Sequence, residues 1–252
     1  MPEEKMRMNQ RVTIAACQLF DIQDNLDQSL AKIMEYASRA ADQGAQLICF
    51  PECYLQGYIL EEHEARRRAI DVSSDLFINI LKRLKNIQPL LVIGMIEQES
   101  DKLYITAIVV KQGELLGCYR KNRLAPWESM FEPGENVPIF EVEGLRFGIN
   151  ICYDLNWSEC AAAIAHQSTQ LMVCPCYNML SYENAEKWKF KHNAIRAERT
   201  VETGLWLLSA DVTGERDGQI SYGPTALINP HGTIVAQVPL LEEGMIVQEI
   251  TL

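Results

Sequence analysis

Apolar and polar positions along this chain recur with the periods of an α/β protein. Residues 12–19 (VTIAACQL) form an apolar run of strand length. After the turn residues Asp21–Asn25, Leu26, Leu30, Ile33, Ala37 and Ala40 recur at helical spacing, and Gly44 stands where a helix C-cap would. Residues 44–52 (GAQLICFPE) read as a buried strand that stops at Pro51, so strand, helix and strand predict a βαβ crossover. Ser74–Ile87 predicts an amphipathic helix and residues 90–97 a strand. Leu103–Val110 and Glu114–Tyr119 predict a hairpin turning at Gln112-Gly113. Residues 119–135 then form a polar, aromatic loop of a length that more often serves function than connection.

The second half repeats the alternation. Phe147, Ile149 and Ile151 alternate with smaller or polar residues, Asp154, Asn156 and Ser158 supply cap chemistry, and Ala161–Ala165 continues as a helix. Residues 171–175 predict a buried strand, 183–203 one long helix, and 204–210, 220–229, 233–239 and 245–250 the closing strands. No linker, composition break or repeat divides the chain, which reads as one domain over 1–252, with residues 1–10 a loosely ordered tail.

Composition narrows the function classes. Hydrophobic content of 48% and charged content of 23% are ordinary for a soluble globular protein. A net charge of -11 argues against a nucleic-acid partner, because phosphate binding needs clustered Lys and Arg. The charged N-terminus lacks a signal peptide's apolar core, and no apolar run approaches the roughly 18 residues that span a bilayer, so a cytoplasmic protein without membrane contact is expected. Eight cysteines without a secretory signal read as reduced thiols, and their spacing lacks the pattern of a structural zinc site.

Cys152 falls at a strand-to-helix turn, where a side chain is presented at the sheet edge while backbone N–H groups point to the same spot. Taken alone, a buried packing cysteine is the better reading of that turn, because free cysteines are among the most buried residue types. Glu52 follows a strand end, where ligand sites of α/β sheets lie; Lys121 and Glu128 sit in the long loop. Taken singly, each of these three reads as a solvated surface charge.

Four segments in order, GAQLICFPE, YRKNRLAPWE, GINICYDLNWSE and RTVET…SADVTG, resemble the signature blocks of the nitrilase superfamily of carbon–nitrogen hydrolases, and YGPTALINPHGTIVA extends the likeness to nearly the whole chain. The resemblance implies a four-layer αββα sandwich that pairs through helices into an eight-layer homodimer, with no metal or organic cofactor. It implies a Glu52–Lys121–Cys152 triad with Glu128 as a second pocket glutamate, cleaving a small-molecule amide or N-carbamoyl group, less often a nitrile. Asn156, Ser158, the Arg199–Thr203 run and Asp211 depart from the common family pattern without touching the triad. Tyr54, Trp127, Phe131, Tyr153, Asn178 and Met179 flank the triad and are candidate pocket lining, with the Tyr153 N–H an oxyanion donor; core packing is the alternative reading, equally weighted for Met179. Two other functions stay open: a cysteine–histidine hydrolase using His63, His166, His192 or His231, and a catalytically silent interaction protein of the same fold.

Overall fold

The computed structural model describes residues 10–251, so the expected tail falls, Gln10 apart, outside the described residues. β1 (Arg11–Phe20) leads into α1 (Leu26–Asp42), capped by Asn25 accepting from the backbone N–H of Gln28, and then β2 (Leu47–Cys49). Two short helices, α2 (Glu62–Arg68) and α3 (Asp75–Arg83), precede the antiparallel strands β3 (Leu90–Glu99), β4 (Lys102–Lys111) and β5 (Glu114–Arg120). Gln112 and Gly113 close the expected hairpin with φ of 48° and 78°.

β6 (Ile139–Val142) and β7 (Leu145–Ile149) form a second hairpin. A 3-10 turn over Cys152–Asn156, α4 (Ser158–Ala165) and β8 (Leu171–Pro175) then build a parallel crossover beside it. β9 (Leu180–Ser181), α5 (Tyr182–Trp188) and α6 (Lys191–Thr203) follow, and β10 (Trp206–Arg216), β11 (Gln219–Ser221), β12 (Ala226–Ile228), β13 (Ile234–Gln237) and β14 (Gly244–Thr251) complete the chain.

The main sheet runs β5-β4-β3-β2-β1-β10-β8-β7-β6. Every pairing from β3 to β7 along that path is parallel, which fits the buried, near-continuous apolar runs of these strands. β1 meets β10 only through Gln18–Phe20 against Asp211–Thr213; from Arg11 to Gln18 it pairs antiparallel with β14, so the sheet's two halves are joined at a short seam. One core cluster draws Ile14, Leu47 and Val92 from the first half together with Phe147, Val173 and Leu208 from the second. A second packs α1 and α3 residues such as Ile33 and Phe77 against Ala15, Ile48 and Ile93; a third packs Ala161 and Ile164 of α4 against Met172 and Leu207. Among the described residues no helix is long and apolar enough to cross a membrane.

Two sequence expectations are corrected. The single helix over 183–203 is two helices, because the chain turns at Lys189 and Phe190, where no Gly or Pro announces a break. The strand over 220–229 is split into β11 and β12 by Gly223 at φ +65° and by Pro224, which has no N–H for a ladder.

Candidate active site

The carboxyl ends of β2, β5, β7 and β8 converge, and each delivers a polar side chain to one spot. Glu52 follows β2 in a tight turn with Cys53 at φ +52°. Two backbone bonds anchor the turn: Glu52 N–H donates to Cys176 O at 3.1 Å, and Leu55 N–H to Gly94 O at 3.1 Å. Gly94 of β3 permits this approach, for a Cβ there would lie 2.3 Å from Pro51 O and 2.7 Å from Glu52 Cα.

Lys121 leaves β5 with its N–H still bonded to Ile105 O at 2.8 Å, and the loop that follows returns to it through Gly134 N–H to Lys121 O at 2.8 Å. Its Nζ donates to Glu52 Oε1 and to Glu128 Oε1, at 2.7 Å each, with all three residues 1% exposed. Glu128 also accepts from the Tyr58 hydroxyl at 2.6 Å on Oε1 and from Ala125 N–H at 2.6 Å on Oε2. Burial opposes charge on Lys121, but the two carboxyls outweigh it and hold its pKa well above the usual lysine range. The Glu52 carboxyl is raised well above its ordinary value, chiefly by burial; Lys121 pulls it down, while Cys152 and Glu128 add to the rise.

Cys152 occupies the left-handed region at φ +42°, a conformation that costs a non-glycine residue about 1 kcal/mol or more and persists only where neighbours enforce it. Asp154 enforces it. Its carboxylate accepts from Ile151 N–H at 2.7 Å, Arg123 N–H at 2.7 Å and the Tyr119 hydroxyl at 2.8 Å, tying the elbow to the end of β5. Burial pushes the Asp154 carboxyl up to about 6 against these donors and Lys121. The half-buried Cys152 thiol donates to Asn178 Oδ1 at 3.7 Å. Its pKa is raised well above the usual range, first by the neighbouring Cys176 thiol and then by burial, with Lys121 pulling the other way.

Of the flanking residues, Asn178 contacts the thiol, and Trp127 lies edge-on to Tyr153 at 6.4 Å while donating from Nε1 to the Tyr58 hydroxyl at 3.1 Å. Tyr54 and Met179 pack in the cluster beneath α1 and α3, and Phe131 packs in the cluster between the sheet halves, against which Tyr58 and Cys152 also lie. Sequence reasoning missed Tyr58, which stacks on Tyr177 at 4.5 Å and 13° as one wall of the site. It also missed Cys176 and Arg196, whose guanidinium lies 3.0 Å from the Cys176 sulfur. The second tyrosine of CYLQGY and the buried C-P-C strand end were the available signals.

The arrangement offers a strained thiol, a buried carboxyl able to exchange a proton, and a fixed ammonium. A family profile described as carbon-nitrogen hydrolase matches residues 13–252. A nitrilase from Pyrococcus abyssi is 27% identical over 234 residues, covering 90% of this chain and 84% of that one. Human omega-amidase NIT2 is 26% identical over 257 residues, covering 96% and 88% respectively. The crystal structure of an amidase from Nesterenkonia sp. superposes with a TM-score of 0.85 at 25% identity, over 97% of this chain and 92% of that one. A glutamate-to-glutamine variant of the Nesterenkonia sp. AN1 amidase, carrying acrylamide added at its active-site cysteine, superposes at 0.81 with 26% identity over 94% and 92%.

Proposed function

The chain belongs to the carbon-nitrogen hydrolase family of the nitrilase superfamily and hydrolyses carbon–nitrogen bonds other than peptide bonds; from that premise we propose that it cleaves a small amide or N-carbamoyl compound through a thioester on Cys152. The observation that carries this reading is the Lys121 ammonium fixed at 2.7 Å between Glu52 and Glu128 beside the strained Cys152 elbow.

In the first half-reaction Glu52 takes the thiol proton as the Cys152 sulfur bonds to the carbonyl carbon. The oxygen that gains the charge is met by Lys121 Nζ and the Tyr153 N–H, and a positioned donor of this kind is worth roughly 3–4 kcal/mol. The carbon–nitrogen bond then breaks and Glu52 passes its proton to the leaving nitrogen, releasing ammonia or an amine. In the second half Glu52 takes a proton from water, the hydroxide adds to the thioester carbon, and the carbon–sulfur bond breaks to free the acid. The proton held by Glu52 returns to the sulfur. Glu128 holds Lys121 in place, a role its second anchor on Ala125 N–H supports.

The core clusters support a four-layer αββα sandwich, with helices on the outer face of each sheet half, and a single domain built on one sheet path. A homodimer in the cytoplasm completes the reading. Val201 of α6 with Ile234 and Val235 of β13 leave apolar side chains exposed, and light scattering at micromolar concentration checks the dimer, which a monomer refutes.

Turnover of an amide, carbamoyl and nitrile panel, with ammonia, acid and amide products separated, tests the reaction. Cys152→Ala, Glu52→Gln and Lys121→Met each abolish it with circular dichroism unchanged. Turnover surviving in Cys152→Ala refutes the thioester, and a nitrile turned over faster than any amide replaces the substrate class.

A further inference from the structure

Behind the thiol lies a buried ion pair that the reaction above does not use. Arg196 of α6 reaches Asp211 of β10, Nη2 to Oδ2 at 3.4 Å, and both are buried. Asp211 in turn accepts two hydrogen bonds from Asn178, from the backbone N–H on Oδ1 at 3.1 Å and from the side-chain Nδ2 on Oδ2. The remaining atom of that amide, Oδ1, faces the Cys152 sulfur at 3.7 Å. An ionised carboxylate only accepts, so it can pair with the nitrogen end of an amide and never with its oxygen end. Burial raises the Asp211 carboxyl above its ordinary value, while Arg196 and the Asn178 hydrogen bonds pull toward the charged form. Against that charged form the amide of Asn178 is left one orientation.

We propose that the Arg196–Asp211 pair is a positioning device that locks the Asn178 amide with its oxygen toward Cys152, where this oxygen accepts an N–H of the scissile amide. The inference rests on Cys152 being the nucleophile. A carbonyl carbon attacked by the sulfur brings its nitrogen within hydrogen-bond reach of a group 3.7 Å away. On its other side Asn178 borders a small depression that Lys189, His192 and Tyr222 also line. An acceptor fixed beside the thiol favours primary amides, which carry N–H groups, and disfavours esters, whose leaving oxygen would face Oδ1 acceptor to acceptor.

The test compares the best primary amide of the wild-type panel with the ethyl ester of the same acid. Asn178→Ala lowers kcat/KM for the amide about tenfold more than for the ester, the scale of one hydrogen bond. Asp211→Asn keeps the shape and an acceptor for the Asn178 backbone N–H, but it frees the Asn178 amide to rotate. Arg196 stays held by Asn193 Oδ1 at 2.8 Å, Pro224 O at 2.5 Å and the Cys176 sulfur at 3.0 Å. In this variant the amide-to-ester ratio falls severalfold while ester turnover holds or rises. A purely structural role moves both substrates together, so equal losses in Asn178→Ala overturn the proposal even if Asp211→Asn fails to fold. Failure of the underlying reading looks different: Cys152→Ala then still turns over the amide.

Discussion

Replacing Glu128 with glutamine separates charge from shape in the buried Glu52–Lys121–Glu128 cluster. The wild-type carboxylate accepts three hydrogen bonds, from Lys121 at 2.7 Å, Tyr58 at 2.6 Å and Ala125 N–H at 2.6 Å. Glutamine has one oxygen for all of them. With that oxygen toward Lys121 and Tyr58, its NH2 confronts the Ala125 N–H and leaves a buried donor unsatisfied, at about 1–3 kcal/mol. Turned the other way it confronts an ammonium and a hydroxyl, which is worse. Adding the lost attraction for the Lys121 charge gives a destabilisation of roughly 3 kcal/mol, or about 6–12 °C in melting temperature for a domain of this size. Lys121 then leans on Glu52 alone, and a displacement of about 1 Å at its ammonium costs about 10²-fold in kcat. The pH profile gives the sharper readout. Glu128 is one of the groups raising the Glu52 carboxyl, so its neutralisation moves the acid limb of kcat/KM to lower pH. Tyr58→Phe, which removes a hydrogen bond and no charge, costs about 1 kcal/mol and leaves the limb in place. Calorimetry and pH–rate profiles of the two variants decide it. An acid limb in Glu128→Gln that stays put or moves upward refutes the electrostatic account of the cluster.

Other expectations follow from single contacts. Gly94→Ala drives a Cβ into the backbone of the Glu52 turn and lowers kcat by about 10²-fold, with a smaller effect on overall secondary structure by circular dichroism; activity within threefold of wild type, about 0.7 kcal/mol, contradicts it. His192, stacked on Trp188 at 5.3 Å, has its pKa lowered to about 3 by burial first and by Arg196 second. A depressed base contributes stability that is present above its unfolded value and lost as pH falls, so between pH ~6.5 and ~5 the protein loses at most about 2 kcal/mol through this group, nearer 1 after solvent screening. Urea midpoints at the two pH values test this, and His192→Phe flattens that part of the slope. A brief alkylation modifies Cys152 before the buried Cys17, Cys49 and Cys174, and Glu52→Gln slows it more near neutral pH than at alkaline pH; peptide mapping that finds another thiol labelled first rejects it.

The sequence carried most of the frame because apolar periodicity is local. β1, β3, β4 and β8 end within two residues of their expected bounds, and Gly113 marked its hairpin by conformational need. The break between α5 and α6 was not legible, since it has no sequence punctuation. It comes with tertiary contacts: Lys189 lies over the Tyr222 ring at 4.2 Å, and Trp188 stacks on His192. Side-chain direction was equally hidden. Tyr54 lies two residues from Glu52, yet its ring joins the core and its hydroxyl bonds to Phe20 O at 3.3 Å. Tyr58, four residues further on, meets the Lys121–Glu128 pair instead. Proximity in sequence says which residues travel together and not which way a turn aims them.

The same distinction explains how the site is held. Glu52 comes from the first sheet half and Cys152 from the second, and the two halves share only a short seam between β1 and β10. Contacts across that divide fix their relative position: Glu52 N–H to Cys176 O, and Asp154 to Tyr119 and Arg123. Each joins a polar group to a partner on the opposite side, and most are buried, so losing one exposes an unpaired charge or donor rather than a void. Large-to-small changes in the core between the halves, such as Ile149→Ala or Val173→Ala, therefore cost stability through the cavity they leave, by about 2–5 kcal/mol, while the remaining folded protein keeps its kcat. Changes in the bridging polar groups do the reverse, and lower kcat by more than their stability loss accounts for.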